Sequence, residues 1–263
     1  VPKPTVRRQK TRFLGFYLNS NKSEGEDKVL SEQRIAIVTA ASRGMGAAIA
    51  RELANQDYGL ALMSRGQEVL NLASELDATG IQGSVTDPDD LRRLVEATLD
   101  GYGRIDVVVN NTGHPPSGEL LAIGDDDWHA GMDLVLLNVV RLSRLVTPVM
   151  IKQGGGAIVN ISTFAAFEPS VSFPVSCTLR AALGSFAKLY ADRYAGHNIR
   201  MNNVLPGYID TYEIDEATQA SIPMGRGGRA GEIAKAVAFL VSPEAGYITG
   251  QNIRVDGGLT RSV

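Results

Sequence analysis

Two hydrophobic patterns alternate along the chain. Ile35-Ala36-Ile37-Val38 is a short unbroken apolar run, the mark of a strand buried on both faces. It leads into Thr39-Ala40-Ala41-Ser42-Arg43-Gly44-Met45-Gly46, where a strand turns into a helix. Residues 47–57 place Ala50, Leu53 and Ala54 at helical spacing, and Leu60-Ala61-Leu62-Met63 supplies a second strand. The same alternation predicts helices over 67–77, 88–101, 125–152, 173–195 and 230–241. Strands are predicted near 81–85, 105–109, 157–161, 199–205 and 253–255. Repeated βα units call for a doubly wound α/β fold, a mostly parallel sheet with helices on both faces.

Residues 34–263 read as one dinucleotide-binding and substrate domain, preceded by an extension, 1–33, that is either flexible or docked as an arm. The extension carries Lys3, Arg7, Arg8, Lys10 and Arg12, then Phe13, Leu14, Phe16, Tyr17 and Leu18. That pattern suits a targeting segment, an expression leader or an intersubunit arm. Gly154-Gly155-Gly156 reads as the turn entering Ala157-Ile158-Val159. The polar, glycine-rich segment 207–229 follows a strand end, where such sheets present ligand loops; it is either a lid or a surface excursion.

Composition narrows the classes. With 263 residues, 44% hydrophobic and 21% charged, the chain can bury one large core. A net charge of -3 gives no reason to expect nucleic acid. No stretch reads as an uninterrupted transmembrane helix, so the expectation is a soluble protein off the membrane. Cys177 is the only cysteine, which excludes an intrachain disulfide and fits a reducing cytoplasm. His114, His129 and His197 are too dispersed to form a metal site, so no metal is expected.

The first turn carries the first chemistry. Gly44 and Gly46, with Thr39, Ser42, Arg43 and Met45 around them, can bring the backbone and a helix N-terminus to a pyrophosphate. The same glycines would also serve tight packing. Ser64-Arg65 ends the second strand without an acidic residue for ribose hydroxyls. Arg65 and Arg43 can pair with the extra phosphate of NADP, so NADP(H) is expected over NAD(H), although either arginine could simply be solvated. In Asn110-Asn111-Thr112-Gly113 the asparagines can stitch neighbouring loops, and Gly113 allows close cofactor approach.

Together TAASRGMG at 39–46, NNTG at 110–113, IVNIST at 158–163, NNVLPGYIDT at 202–211 and VDGG at 255–258 resemble the short-chain dehydrogenase/reductase family. The resemblance spans roughly residues 35–258. It implies a seven-stranded parallel sheet, a nicotinamide cofactor, and a homodimer or homotetramer built on two long helices. Cofactor contacts carried over are Thr39, Ser42, Arg43, Gly44, Met45, Gly46, Ser64, Arg65, Ser84, Asn111, Thr112, Gly113, Arg180, Pro206, Gly207, Ile209 and Thr211. Two positions depart there: Ala40 stands where the family has glycine, and Ser84 replaces the usual acid.

The family's catalytic asparagine, serine, tyrosine and lysine align with Val135, Thr163, Ser176 and Arg180. Thr163 keeps a hydroxyl for a carbonyl oxygen, and Arg180 keeps a positive charge for the nicotinamide ribose. Val135 loses a polar anchor. Ser176 loses more, since a serine has no accessible ionised state and Arg180 is a poor proton donor. Tyr190 lies roughly 20 Å further along the helix, too far to substitute. His114 is the alternative acid, set against a plain loop contact. Cys177 reads as packed, and Asp126 and Asp127 as helix-start residues.

The expected activity is therefore NADPH-dependent reduction of a small carbonyl compound by an atypical oxidoreductase. The alternatives are a catalytically weakened nucleotide-binding or structural subunit, and a redox-neutral enzyme using the Thr163/Ser176 oxygen-binding pair. Leu136, Leu137, Val140, Leu145, Phe186 and Leu189 give the long helices more apolar surface than one face needs, which predicts a homo-oligomer.

Overall fold

Unbroken apolar runs become central strands here because both of their faces meet helices. A computed structural model describes residues 33–262. The expectations for the extension therefore lie outside the described residues, apart from Gln33. Strands β1 (Ile35–Thr39), β2 (Gly59–Ser64), β3 (Thr79–Gln82), β4 (Val107–Asn110), β5 (Gly156–Ile161), β6 (Ile199–Pro206) and β7 (Asn252–Val255) form one sheet. Its order is β3-β2-β1-β4-β5-β6-β7 and every pair is parallel. The expected doubly wound, seven-stranded sheet is the observed one.

Helices cover both faces. α1 (Gly44–Ala54), α2 (Glu68–Glu75) and α8 (Ala230–Val241) bury Ile49, Leu53, Val69, Ile233 and Val237 against one side. On the other, α3 (Pro88–Tyr102), α5 (Asn138–Gln153) and α6 (Pro174–Tyr194) bury Leu91, Leu94, Leu142, Val146, Met150 and Ala187. α4 (Asp125–Met132) runs into α5 through one π turn, Asp133–Leu137, and α7 (Glu216–Ser221) is a short surface helix.

Two expectations shift. β3 lies before the expected 81–85, because Thr79 and Gly80 pair with β2 while Ser84 N–H turns back to the Asp90 carboxylate at 2.7 Å. Val85 misleads because it is buried as core without being strand. The segment 207–229, left open above as a lid or a surface excursion, holds α7 and a bridge between Ile209 and Gly228. Finally, Asp125–Gln153 is long and apolar enough to cross a membrane by length and composition, contrary to expectation. However, 44% of its most apolar window is buried inside the fold, as a helix in a packed layer requires.

Parallel register also lines up four buried or half-buried amides. Asn110 Nδ2 donates to Asn160 Oδ1, Asn160 to Asn203, and Asn203 to Asn252, at 2.8, 2.8 and 2.7 Å. This ladder ties β4 to β7, so Asn110 serves the sheet. Asn111 stitches β4 to β1: its N–H donates to the Thr39 hydroxyl, which in turn donates to the Asn111 carbonyl at 2.7 Å.

Candidate active site

The cofactor turn combines strain with close contact. Ala40 sits at φ +47° and Gly44 at +56°, so the position where the family has glycine requires the left-handed region. A Cβ on Gly46 would stand 2.3 Å from the Ala40 carbonyl oxygen and 2.8 Å from Asn111 Nδ2. Gly46 thus permits tight packing, and the turn leaves the helix end open. Arg43, at the N-cap of α1, supplies no side-chain acceptor. Among the described residues nothing accepts from the N–H groups of Gly44, Met45 or Gly46. Unpaired N–H groups at a helix start are an anion cradle, so the turn fits a dinucleotide pyrophosphate.

Beyond the turn, the Ser64 hydroxyl donates to Ser42 Oγ at 3.0 Å, while Arg43 and Arg65 are exposed and make no ion pair with a described residue. Two exposed cations beside two hydroxyls make a neutral-to-basic edge. Two of the proposed contacts are otherwise committed. The buried Thr39 hydroxyl is held between N–H and carbonyl of Asn111, and the Ser84 hydroxyl is held by Thr86.

A cavity opens at the carboxyl ends of β1, β4, β5 and β6, where doubly wound sheets bind ligands. It brings together Thr163, Ser176, Arg180 and His114 with Met45, Asn111 and Thr112. Pro206, Gly207, Ile209 and Thr211 close the far wall. Val135 is absent from it. The π turn instead turns Val135 into an apolar cluster with Val175 and Leu179, fully buried. Gly113 does not line this cavity either.

Arg180 sets the electrostatics. Its Nη1 donates to the Ile161 carbonyl at 2.6 Å and its Nε to Ser176 Oγ at 3.3 Å, one helical turn back. Burial lowers its pKa to about 10, so it remains a cation at neutral pH. No carboxylate of a described residue pairs with it, and none lines the cavity. His114 is partly exposed at the cavity, its ring edge-on to Tyr212 at 6.4 Å between centroids. Burial first, and the Arg180 charge second, lower its pKa below the ordinary 6.5. His129 and His197 are exposed.

Sequence reasoning missed the aromatic wall. Phe164, Phe173, Tyr208 and Tyr212 all line the cavity, and the Phe164 and Tyr208 rings lie 5.5 Å apart. The two tyrosines lie in or beside the NNVLPGYIDT stretch and were visible there as aromatic side chains next to a glycine-proline turn. Burial and the neighbouring Tyr208 raise the Tyr212 pKa, which keeps that phenol protonated. Tyr190 is removed from the chemistry as expected, its hydroxyl bonded to Thr147 at 2.5 Å.

A wider cavity lies at the opposite, amino ends of the same strands, beside Arg34 and Arg200. Those guanidiniums donate to carbonyls of Val241, Leu240 and Ser242 at the end of α8. They satisfy a helix C-terminus and carry no catalytic group with them.

Residues 39–260 match the family model described as Enoyl-(Acyl carrier protein) reductase. The chain belongs to the short-chain dehydrogenase/reductase family. Among its curated relatives, the 3-oxoacyl-[acyl-carrier-protein] reductase of Thermotoga maritima is 34% identical over 243 residues, covering 87% of this chain and 98% of that protein. The enzyme of the same name from Escherichia coli is 34% identical over 239 residues, with the same coverage. Two solved structures are also similar. YwfH, an NADPH-dependent reductase involved in bacilysin biosynthesis, superposes with a TM-score of 0.83 at 28% identity, covering 88% of this chain and 100% of that one. L-sorbose reductase from Gluconobacter frateurii, solved with NADPH and L-sorbose, gives 0.84 at 26% identity, covering 88% and 98%.

Proposed function

We propose that the protein is an NADPH-dependent reductase of a small carbonyl compound with a rearranged set of catalytic residues. The observation that carries this reading is the continuity between the N–H cradle of α1 and the cavity holding Thr163, Ser176 and Arg180. The NADPH named for both similar structures supports the choice of cofactor, as do the exposed Arg43 and Arg65 beside Ser42 and Ser64.

A bound reduced nicotinamide supplies hydride. This chain's residues do the rest. Thr163 and Ser176 hydroxyls hold the carbonyl oxygen, and the Arg180 cation stabilises the negative charge that develops there. The proton comes from His114, the one lining side chain that exchanges a proton near neutral pH. Tyr212 has no cation to lower its pKa and is the weaker acid.

Titration calorimetry with NADPH and NADH, followed by substrate-dependent NADPH oxidation, tests the reading. Tighter NADPH binding and turnover are expected. Equal or tighter binding of NADH removes the cofactor assignment. The loss of an ionisable residue at Ser176 favours one second reading, a nucleotide-binding subunit with weak turnover; tight NADPH binding without oxidation of any carbonyl would select it. A homo-oligomer is proposed on the exposed Leu189, 68% accessible on α6.

A further inference from the structure

Arg180 is a buried cation with no described counter-ion. A guanidinium taken out of water costs several kcal/mol unless an opposite charge compensates it. Here the partners are neutral, one main-chain carbonyl and one serine hydroxyl. Two of its five N–H groups are used, and the residue lines a cavity that contains no acidic side chain. The cofactor does not resolve the imbalance, because a ribose hydroxyl accepts a hydrogen bond but carries no charge.

We propose that Arg180 is the receptor for a carboxylate on the substrate, which is therefore a 2-oxo acid with a flat apolar body. This rests on the reductase reading above and adds the substrate class to it. Guanidinium favours carboxylate over other oxygen ligands because its planar N–H groups match the two oxygens. The Nε–H of Arg180 is taken by Ser176 Oγ, so the remaining Nη N–H groups receive the carboxylate while the adjoining Ser176 hydroxyl receives the carbonyl, which places the two groups close together on the substrate. In a 2-oxo acid the carboxylate and the carbonyl are on adjacent carbons. The body then meets the aromatic wall. Phe164 and Tyr208 form one tilted pair, and Phe173 and Tyr212 are 42% and 48% exposed at the mouth. Serine in place of tyrosine at 176 leaves room for that body. Exposed aromatics around a few polar groups are what a flat, mostly apolar ligand requires.

The test uses the full chain loaded with NADP+, which cannot deliver hydride, and two ligands of nearly equal shape: benzoylformate and its neutral amide, benzoylformamide. Calorimetry is expected to give at least about tenfold tighter binding of the acid. Arg180→Gln should bring the two affinities together and Arg180→Lys should keep part of the difference, with folding checked by circular dichroism. Equal affinities in the unmodified protein overturn the proposal, whether or not the variants fold. So does a preference that survives in R180Q. NADPH-dependent reduction of neutral ketones alongside equal acid and amide affinities would leave the reductase reading standing and remove only this one. Failure to bind NADP+ or NADPH would remove the reductase reading itself.

Discussion

Arg180 Nε donates to Ser176 Oγ across 3.3 Å, one turn apart on α6, joining the two residues aligned by sequence with the family's lysine and tyrosine. Neither side chain is an acid that gives up a proton near neutral pH. Ser176→Tyr should restore a phenol beside the cation that would lower its pKa. Single-turnover reduction of a small neutral carbonyl is expected to speed up by about tenfold or more, with NADPH affinity unchanged. Where the added ring meets the side chains lining the cavity it costs up to about 1–3 kcal/mol, which urea unfolding will report separately. A folded S176Y protein with no gain in rate rejects the geometry assigned to Thr163 and Ser176.

The cofactor turn predicts two opposite effects of one methyl group. Gly46→Ala pushes a Cβ against the Ala40 oxygen and Asn111, both held by backbone or sheet contacts, and should cost about 1–3 kcal/mol and weaken NADPH binding. Ala40→Gly removes a side chain from φ +47°. Left-handed backbone costs a non-glycine residue roughly 1–2 kcal/mol, and glycine returns about 0.5–1 of that as unfolded-state entropy. The net expectation is a stabilisation of up to about 1.5 kcal/mol. A lower urea midpoint for A40G contradicts it.

Much of this was legible in the sequence because a parallel sheet buried on both faces writes itself as apolar runs. β1, β2, β4 and β5 carry that mark, Gly44 and Gly46 follow from the turn between β1 and α1, and Asn111 from the NNTG stretch that closes β4. The third strand was misplaced because Val85 is apolar for packing and not for pairing. α7 was invisible because it buries nothing and rests on Asp215, which accepts the Thr218 N–H at its start. The π turn at Asp133–Leu137 leaves no period of its own; only the fold reveals that Asn138 N–H reaches five residues back to Asp133. The aromatic wall was missed for a different reason. Phe164 and Tyr208 are distant in sequence and meet only once β5 and β6 are aligned.

The amide ladder makes a prediction about stability alone. Asn160 is fully buried, accepts from Asn110 and donates to Asn203. Asn160→Ala strands a donor on one side and an acceptor on the other, at about 1–3 kcal/mol each, so a loss of about 2–6 kcal/mol is expected. Replacing Asn110 as well removes the stranded donor, and the double variant should lose less than the sum of the two. Additive losses in chemical denaturation would mean that the side chains do not act as a ladder.

His114 ties the chemistry to pH. Its folded pKa is lowered, first by burial and then by the Arg180 charge, so the imidazole is neutral at pH 7 and protonates only below 6.5. A proton donor must carry its proton. The single-turnover rate of reduction should therefore be highest at low pH and fall as pH rises through that lowered pKa, by about tenfold per unit above it. His114→Asn should flatten this profile and cut the rate at pH 6 by about a hundredfold while leaving NADPH binding intact. Removing the nearby charge in R180Q should move the His114 titration upward, seen by its ring proton resonance, but not fully to 6.5, since burial is the larger cause. Stability carries the same sign. The unfolded imidazole binds protons more tightly than the folded one, so the protein loses stability as pH drops below about 6.5, and H114N should lose less. A rate that does not change between about pH 5.5 and 8, in a protein whose His114 is seen to titrate, would mean that the proton reaches the substrate by another route.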